Sequence, residues 1–153
     1  MDTAEPASPF AVETQIRVRY AETDAMGVAH HSNHLVWFEA GRTEYTRAIG
    51  MPYRAIEESG MRLVVVAASC RYYTPTRYDD VIIVRTWVRE ITRATLTFSY
   101  DVRHAGSGRL LAEGETSHAA TDLTGRVRRI PDPVRTALVP EGRSPSDGSE
   151  GEE

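Results

Sequence analysis

Between residues 13 and 20 the chain alternates strictly: Ile16, Val18 and Tyr20 are apolar, while Glu13, Gln15, Arg17 and Arg19 stand between them. A period of two predicts a half-buried strand. The alternation breaks at residues 21–33, AETDAMGVAHHSN. From about residue 33 to residue 49, Leu35, Phe38, Tyr45, Ala48 and Ile49 recur near helical spacing, with Glu39, Arg42, Glu44 and Arg47 elsewhere around the cylinder. Ser32 or Asn33 can cap that helix, and Gly50 followed by Pro52 stops it. A short helical turn fits residues 53–59. Strand signals then dominate. Residues 63–73 form an apolar, β-branched run, and residues 81–89 put Ile82, Val84, Thr86 and Val88 on one face. Residues 95–103 alternate most cleanly, with Leu96, Phe98, Tyr100 and Val102 inward and Thr95, Thr97, Ser99, Asp101 and Arg103 outward. A hairpin turn at 105–108 leads to a long strand over 110–122, a second turn at 122–125, and a closing helix over 131–138. One strand, one long helix and a run of antiparallel strands make an α+β fold, a single helix laid on a curved sheet. One helix leaves sheet surface and edges uncovered. Trp87 and Leu111, on polar-register faces, add to the expectation of an obligate homo-oligomer.

Composition narrows the class. With 153 residues and 41% hydrophobic side chains, the chain suits one compact domain. Residues 1–11 read as a flexible lead-in, 12–139 as the folded domain, and 140–153 (PEGRSPSDGSEGEE) as a disordered acidic tail. No internal repeat occurs. All 18 basic residues are arginine, and the net charge of −4 comes from residues 141–153, the rest being balanced. A neutral body with an acidic tail lacks the footprint of a nucleic-acid binder. Cys70 is the one cysteine, which excludes an internal disulfide or a multi-cysteine zinc site. No leader-like segment opens the chain and no run approaches the roughly 20 apolar residues of a membrane span. A cytoplasmic location is expected.

The stretch from Tyr20 to His34 carries the candidate chemistry. It joins a strand end to a helix start, where unpaired backbone N–H groups can stabilise an oxyanion. Asp24 lies in the same loop, and Gly27 lets the chain fold back so that the carboxylate can face the helix end. A carboxylate beside a carbonyl held by amides is a hydrolytic arrangement. A loop Asp is more often a turn former or helix cap, and spacing alone favours that role for Asp24. His30, His31 and His34 also invite a metal reading, but no Glu follows the first as in HExxH, and no metal is expected. His104 and His118 fall on strands and read as structural.

Residues 17–50, RVRYAETDAMGVAHHSNHLVWFEAGRTEYTRAIG, resemble the start of the 4-hydroxybenzoyl-CoA thioesterase-like family of hotdog-fold acyl-CoA thioesterases. Tyr20, Glu22, Thr23, Asp24, Gly27, His31, Arg42 and Glu44 occupy the family's pattern, and residues 72–80, YYTPTRYDD, resemble its Pro-x-x-Tyr-Asp-Asp turn. The resemblance spans residues 13–138. It implies a hotdog fold, an antiparallel sheet wrapped around one long central helix. It further implies hydrolysis of an acyl-CoA thioester to free acid and CoA without a cofactor, at an interface within a dimer or tetramer. Asp24 would be the catalytic carboxylate, as nucleophile or general base; the backbone N–H of His31 would polarise the thioester carbonyl; Gly27 would permit the loop. His34 stands where the family often has Tyr, and Met26 where a small residue is frequent, so both are expected to shape the acyl site. Coenzyme A brings phosphates, for which Arg93, Arg128 and Arg129, with Arg126, are the candidate cations. An acyl-carrier-protein thioesterase, or a non-catalytic module binding acyl-CoA or acyl carrier protein, are the alternatives. No G-x-S-x-G elbow is present, which argues against an α/β-hydrolase.

Overall fold

The computed structural model describes residues 10–140; of the lead-in over 1–11 and the acidic tail over 140–153, residues 1–9 and 141–153 lie outside the described residues, and Ala11 already belongs to the first strand. Five strands, β1 (Ala11–Arg17), β2 (Arg62–Tyr72), β3 (Val81–Ile91), β4 (Thr95–His104) and β5 (Leu110–Thr121), form one sheet. Its order is β1-β3-β4-β5-β2, and every pairing is antiparallel. Helix α1 (Asn33–Ala48) is the long one; α2 (Tyr53–Glu58) and α3 (Asp132–Leu138) are short, each of less than two turns. The α+β class and the strand and helix order agree with the pattern of the sequence. Among the described residues no helix is long and apolar enough to cross a membrane.

Alternation is borne out where it was cleanest. Leu96, Phe98, Tyr100 and Val102 of β4 are all buried, beneath the face of the sheet that carries α1. Two polar residues expected outward, Thr97 and Ser99, are also buried, because β4 is the central strand and side chains of its neighbours cover it. Thr97 Oγ1 is 3.1 Å from Ser117 Oγ on β5, which satisfies it.

The helix presents a different stripe from the apolar one in the sequence. His34, Trp37, Phe38, Gly41, Tyr45 and Thr46 are buried, whereas Leu35 is 42% exposed. Small and polar residues complete the buried stripe because the helix comes very close to the sheet. A Cβ on Gly41 would sit 3.0 Å from Val84 of β3. The Phe38 ring stacks on Tyr100 at 4.3 Å and hangs over Gly114 of β5.

The uncovered apolar surface also differs from expectation. Leu111 is 2% exposed and belongs to the core. Trp87 is half-buried, with the Arg85 guanidinium 4.8 Å from its ring centroid. It is the edge strand β2 that stands open: Val64, Val65 and Val66 are exposed, and among the described residues only β5 pairs with this strand.

His118 of β5 is buried, with Nε2 2.8 Å from Thr116 Oγ1. Burial first, then the Arg42 cation, pulls its pKa down to about 4, against a backbone hydrogen bond with Leu63. The unfolded chain protonates this imidazole from about pH 6.5 downward, whereas the fold keeps it neutral. Its contribution to stability is therefore complete above about pH 6.5 and declines as pH falls toward 4. Denaturant midpoints at pH 7 and pH 5 should diverge less in His118→Gln than in the parent; equal divergence would refute the assignment.

Candidate active site

The segment from Arg19 to His34 is built around one buried carboxylate. Glu22, 6% exposed at the end of a 3-10 turn (Tyr20–Glu22), accepts the Arg19 N–H at 2.8 Å and Trp37 Nε1–H at 3.3 Å. Its main-chain carbonyl accepts the His30 N–H at 2.8 Å and Asn33 Nδ2–H at 2.8 Å. Glu22 therefore ties together the end of the strand, the far side of the loop and the first turns of α1.

Inside that staple the chain makes a tight hairpin. Thr23 bridges Ala29, the Asp24 N–H donates to the Val28 carbonyl at 2.9 Å, and Gly27 N–H donates to the Asp24 carbonyl at 2.9 Å. Gly27 has φ +82°, the left-handed region that its lack of a Cβ makes inexpensive. The hairpin leans on the segment joining β2 to β3, which must cross the end of the sheet because those strands lie on opposite sides of it. Ala29 N–H donates to Thr76 O at 2.7 Å, Val28 bridges Arg77, and Asp79 N–H donates to Val18 O at 2.9 Å.

Asp24 is half-buried in this hairpin. Its Oδ1 accepts the Met26 N–H at 2.8 Å, so the turn-forming role favoured by spacing is real. The carboxylate is fixed by one oxygen, and Oδ2 has no protein partner among the described residues. The turn opening α1 follows at once. Ser32 occupies the N-cap position without a side-chain cap; its hydroxyl lies 2.9 Å from His30 Nδ1 instead, and the Asn33 amide reaches back to Glu22. The His30 carbonyl accepts Asn33 N–H at 3.0 Å and the His31 carbonyl accepts His34 N–H at 3.3 Å. Among the described residues, the His31 N–H itself donates to no acceptor.

His34 is 4% exposed, packed against Trp37 (centroids 4.6 Å) and edge-on to Tyr72 (4.7 Å). Burial holds its pKa below the usual histidine value, opposed by the hydrogen bond with the His31 carbonyl. In the protomer it supports the helix start from beneath. Met26, at the hairpin tip, is 78% exposed. His30 and His31 stack at 4.2 Å.

Arg93, Arg128 and Arg129 are at the other end of the sheet. Arg93 lies between β3 and β4, its carbonyl accepting Ile130 N–H, and Arg128 N–H donates to Ala120 O. Strands of about ten residues, rising about 3.3 Å per residue, place that end about 30 Å from Asp24 within one protomer. Arg129 is engaged with Asp132 at 2.8 Å, and Arg128 Nε donates to the Arg129 carbonyl. The roles of Asn33 and Tyr72 in holding the site carry no local signal in the sequence, since their partners lie 11 and 41 positions away.

One carboxylate oxygen free of the protein, one open backbone N–H and a rigid frame holding both can add a nucleophile to a carbonyl. Known proteins place the chain in a family. Residues 18–141 match the family model described as the thioesterase-like superfamily. The chain is 32% identical over 126 residues to the acyl-CoA thioesterase YbgC of Haemophilus influenzae, covering 80% of this chain and 90% of that one. A solved structure of a DHNA-CoA thioesterase from Staphylococcus aureus superposes with a TM-score of 0.74 at 31% identity, covering 78% of this chain and 80% of that chain. A Thermus thermophilus structure gives a TM-score of 0.78 at 40% identity, over 82% of this chain and 95% of that one.

Proposed function

From a chain that belongs to the thioesterase-like superfamily and has the hotdog fold of its neighbours, we propose an acyl-CoA thioesterase that uses Asp24 and the His31 N–H. The observation that carries this reading is the pairing of a half-free carboxylate with an unengaged backbone donor on one stapled loop. The thioester carbonyl accepts the His31 N–H, and Asp24 attacks it or draws a proton from water that does. Charge then developing on the carbonyl oxygen is met by a donor already in place. Thioesters lack much of the resonance stabilisation of oxygen esters and expel a good thiolate, so this small apparatus suffices without a serine and a histidine. Release of free thiol from an acyl-CoA panel tests the reading; saturable binding with no thiol release would identify a binding module instead.

The working unit in this proposal is a dimer joined at β2. Eleven residues of open strand edge, with three consecutive exposed valines, invite pairing with a second copy. Antiparallel pairing about a twofold axis would lay the Arg62 end of one β2 beside the Tyr72 end of the other. That brings the Arg128 and Arg129 of a second copy toward Asp24, where phosphates of a bound CoA would meet them; Arg93 follows on the same end. Met26 and His34 would shape the acyl side. Val65→Lys, which puts a charge on this edge, should convert the dimer to monomer in light scattering and remove most of the hydrolysis. A variant that stays dimeric would move the interface elsewhere.

A further inference from the structure

The His31 N–H is useful only if residue 31 is held still, and its carbonyl shows how. That oxygen receives three donors: the His34 N–H at 3.3 Å, His34 Nδ1–H at 3.2 Å and the Tyr72 hydroxyl at 3.0 Å. A carbonyl has two lone pairs, so three donors saturate it and fix the orientation of the residue that carries it. On the other side, the His30 carbonyl accepts both the N–H and the Nδ2–H of Asn33, at 3.0 and 3.2 Å. The peptide that contains the His31 N–H is thereby fixed and polarised as well.

We propose that Tyr72 is a positioning residue for hydrolysis, its hydroxyl clamping the His31 carbonyl so that the His31 N–H is held toward the thioester oxygen. The inference rests on the hydrolytic reading above and adds to it a residue of the edge strand. Two of the three donors belong to α1 itself and move with it. Tyr72 is the one that comes from the sheet, so it sets where the turn lies relative to the rest of the fold. A phenol ordinarily titrates at about pH 10, so the hydroxyl stays protonated at neutral pH and remains a donor. The ring's contacts with His31 at 6.4 Å and His34 at 4.7 Å survive replacement by phenylalanine.

The test compares wild type with Tyr72→Phe in turnover and in binding of two stable CoA analogues. One is a ketone, with the thioester sulphur replaced by CH2 and the carbonyl kept; the other is a thioether, which has no carbonyl. Displacing a donor by a fraction of an ångström costs about tenfold or more in rate. Tyr72→Phe should therefore lower kcat about tenfold with KM within threefold, weaken the ketone by a similar factor and leave the thioether unchanged. An unchanged kcat and ketone affinity, or equal weakening of both analogues, would overturn the assignment, the latter indicating a general structural role. A wild type that turns over no acyl-CoA would refute the hydrolytic reading separately, and the ketone-to-thioether ratio would still decide the role of Tyr72.

Discussion

Replacing Asp24 with asparagine should lower kcat on acyl-CoA by about a thousandfold while KM and the melting temperature stay near those of the parent. The choice of asparagine matters. Asp24 accepts the Met26 N–H at Oδ1, which shapes the hairpin, and in the proposed mechanism its charged group would also supply the nucleophile or base. The asparagine carbonyl oxygen can still accept that N–H, so the turn survives and only the second role is removed. Positioned acid–base groups contribute about 10²–10⁴ in rate, and loss of one oxyanion donor costs about 3 kcal/mol. A carboxylate that forms or deprotonates the attacking group, as proposed, puts the expected loss in the middle of that range. Thiol release at saturating substrate measures the effect. A variant retaining more than a tenth of parental kcat would place the chemistry elsewhere, whatever the state of the loop.

The largest effect on stability is expected at Gly114. A Cβ there would fall inside contact distance of the Ser69 carbonyl oxygen and within 2.7 and 2.9 Å of the Phe38 ring. The first obstacle is backbone of the neighbouring strand and cannot rotate away; the second is a fully buried ring already stacked on Tyr100. Overpacking of a tight core costs about 1–3 kcal/mol, occasionally more. With backbone on one side and an immobile ring on the other, Gly114→Ala should reach about 3 kcal/mol. For a domain of this size that lowers Tm by about 10 °C. Because Gly114 pairs with Cys70, the strand displaced is β2, and the variant should also associate less. Calorimetry and light scattering on one sample check both; a shift of less than about 3 °C would mean that the strand yields easily.

What the sequence made legible, and what it hid, divides by range. Strands β3 and β4 announce themselves because alternation over ten residues is a local property, and each apolar position of β4 is buried. The loop and helix around Asp24 were legible as a motif. Their support was not. Glu22 is an acidic residue in a polar stretch, and nothing nearby says that its carboxylate is buried against Trp37. Thr76 and Tyr72 hold the hairpin and the helix turn from 40-odd positions away, a distance over which periodicity is silent. The helix stripe was misread at Leu35 because closeness of packing, which selects Gly41, outweighs hydrophobicity where helix meets sheet. Leu111 was misjudged for a related reason: which face of a strand is inward depends on neighbours that one strand's pattern does not contain.

The segment that crosses the end of the sheet has a bearing on how the protein is made. Strand β1 leaves the ribosome first, yet its partner is β3, with Arg17 opposite Val81, and the hairpin bearing Asp24 rests on Thr76 and Arg77. Such distant pairings form slowly, since a long loop must close before any contact rewards it. During synthesis the amino-terminal third therefore waits, unanchored, until β3 arrives. The proposed site is thus completed late in the life of each nascent chain, and a fragment ending before residue 81 would carry the motif without the strand that anchors β1 before it.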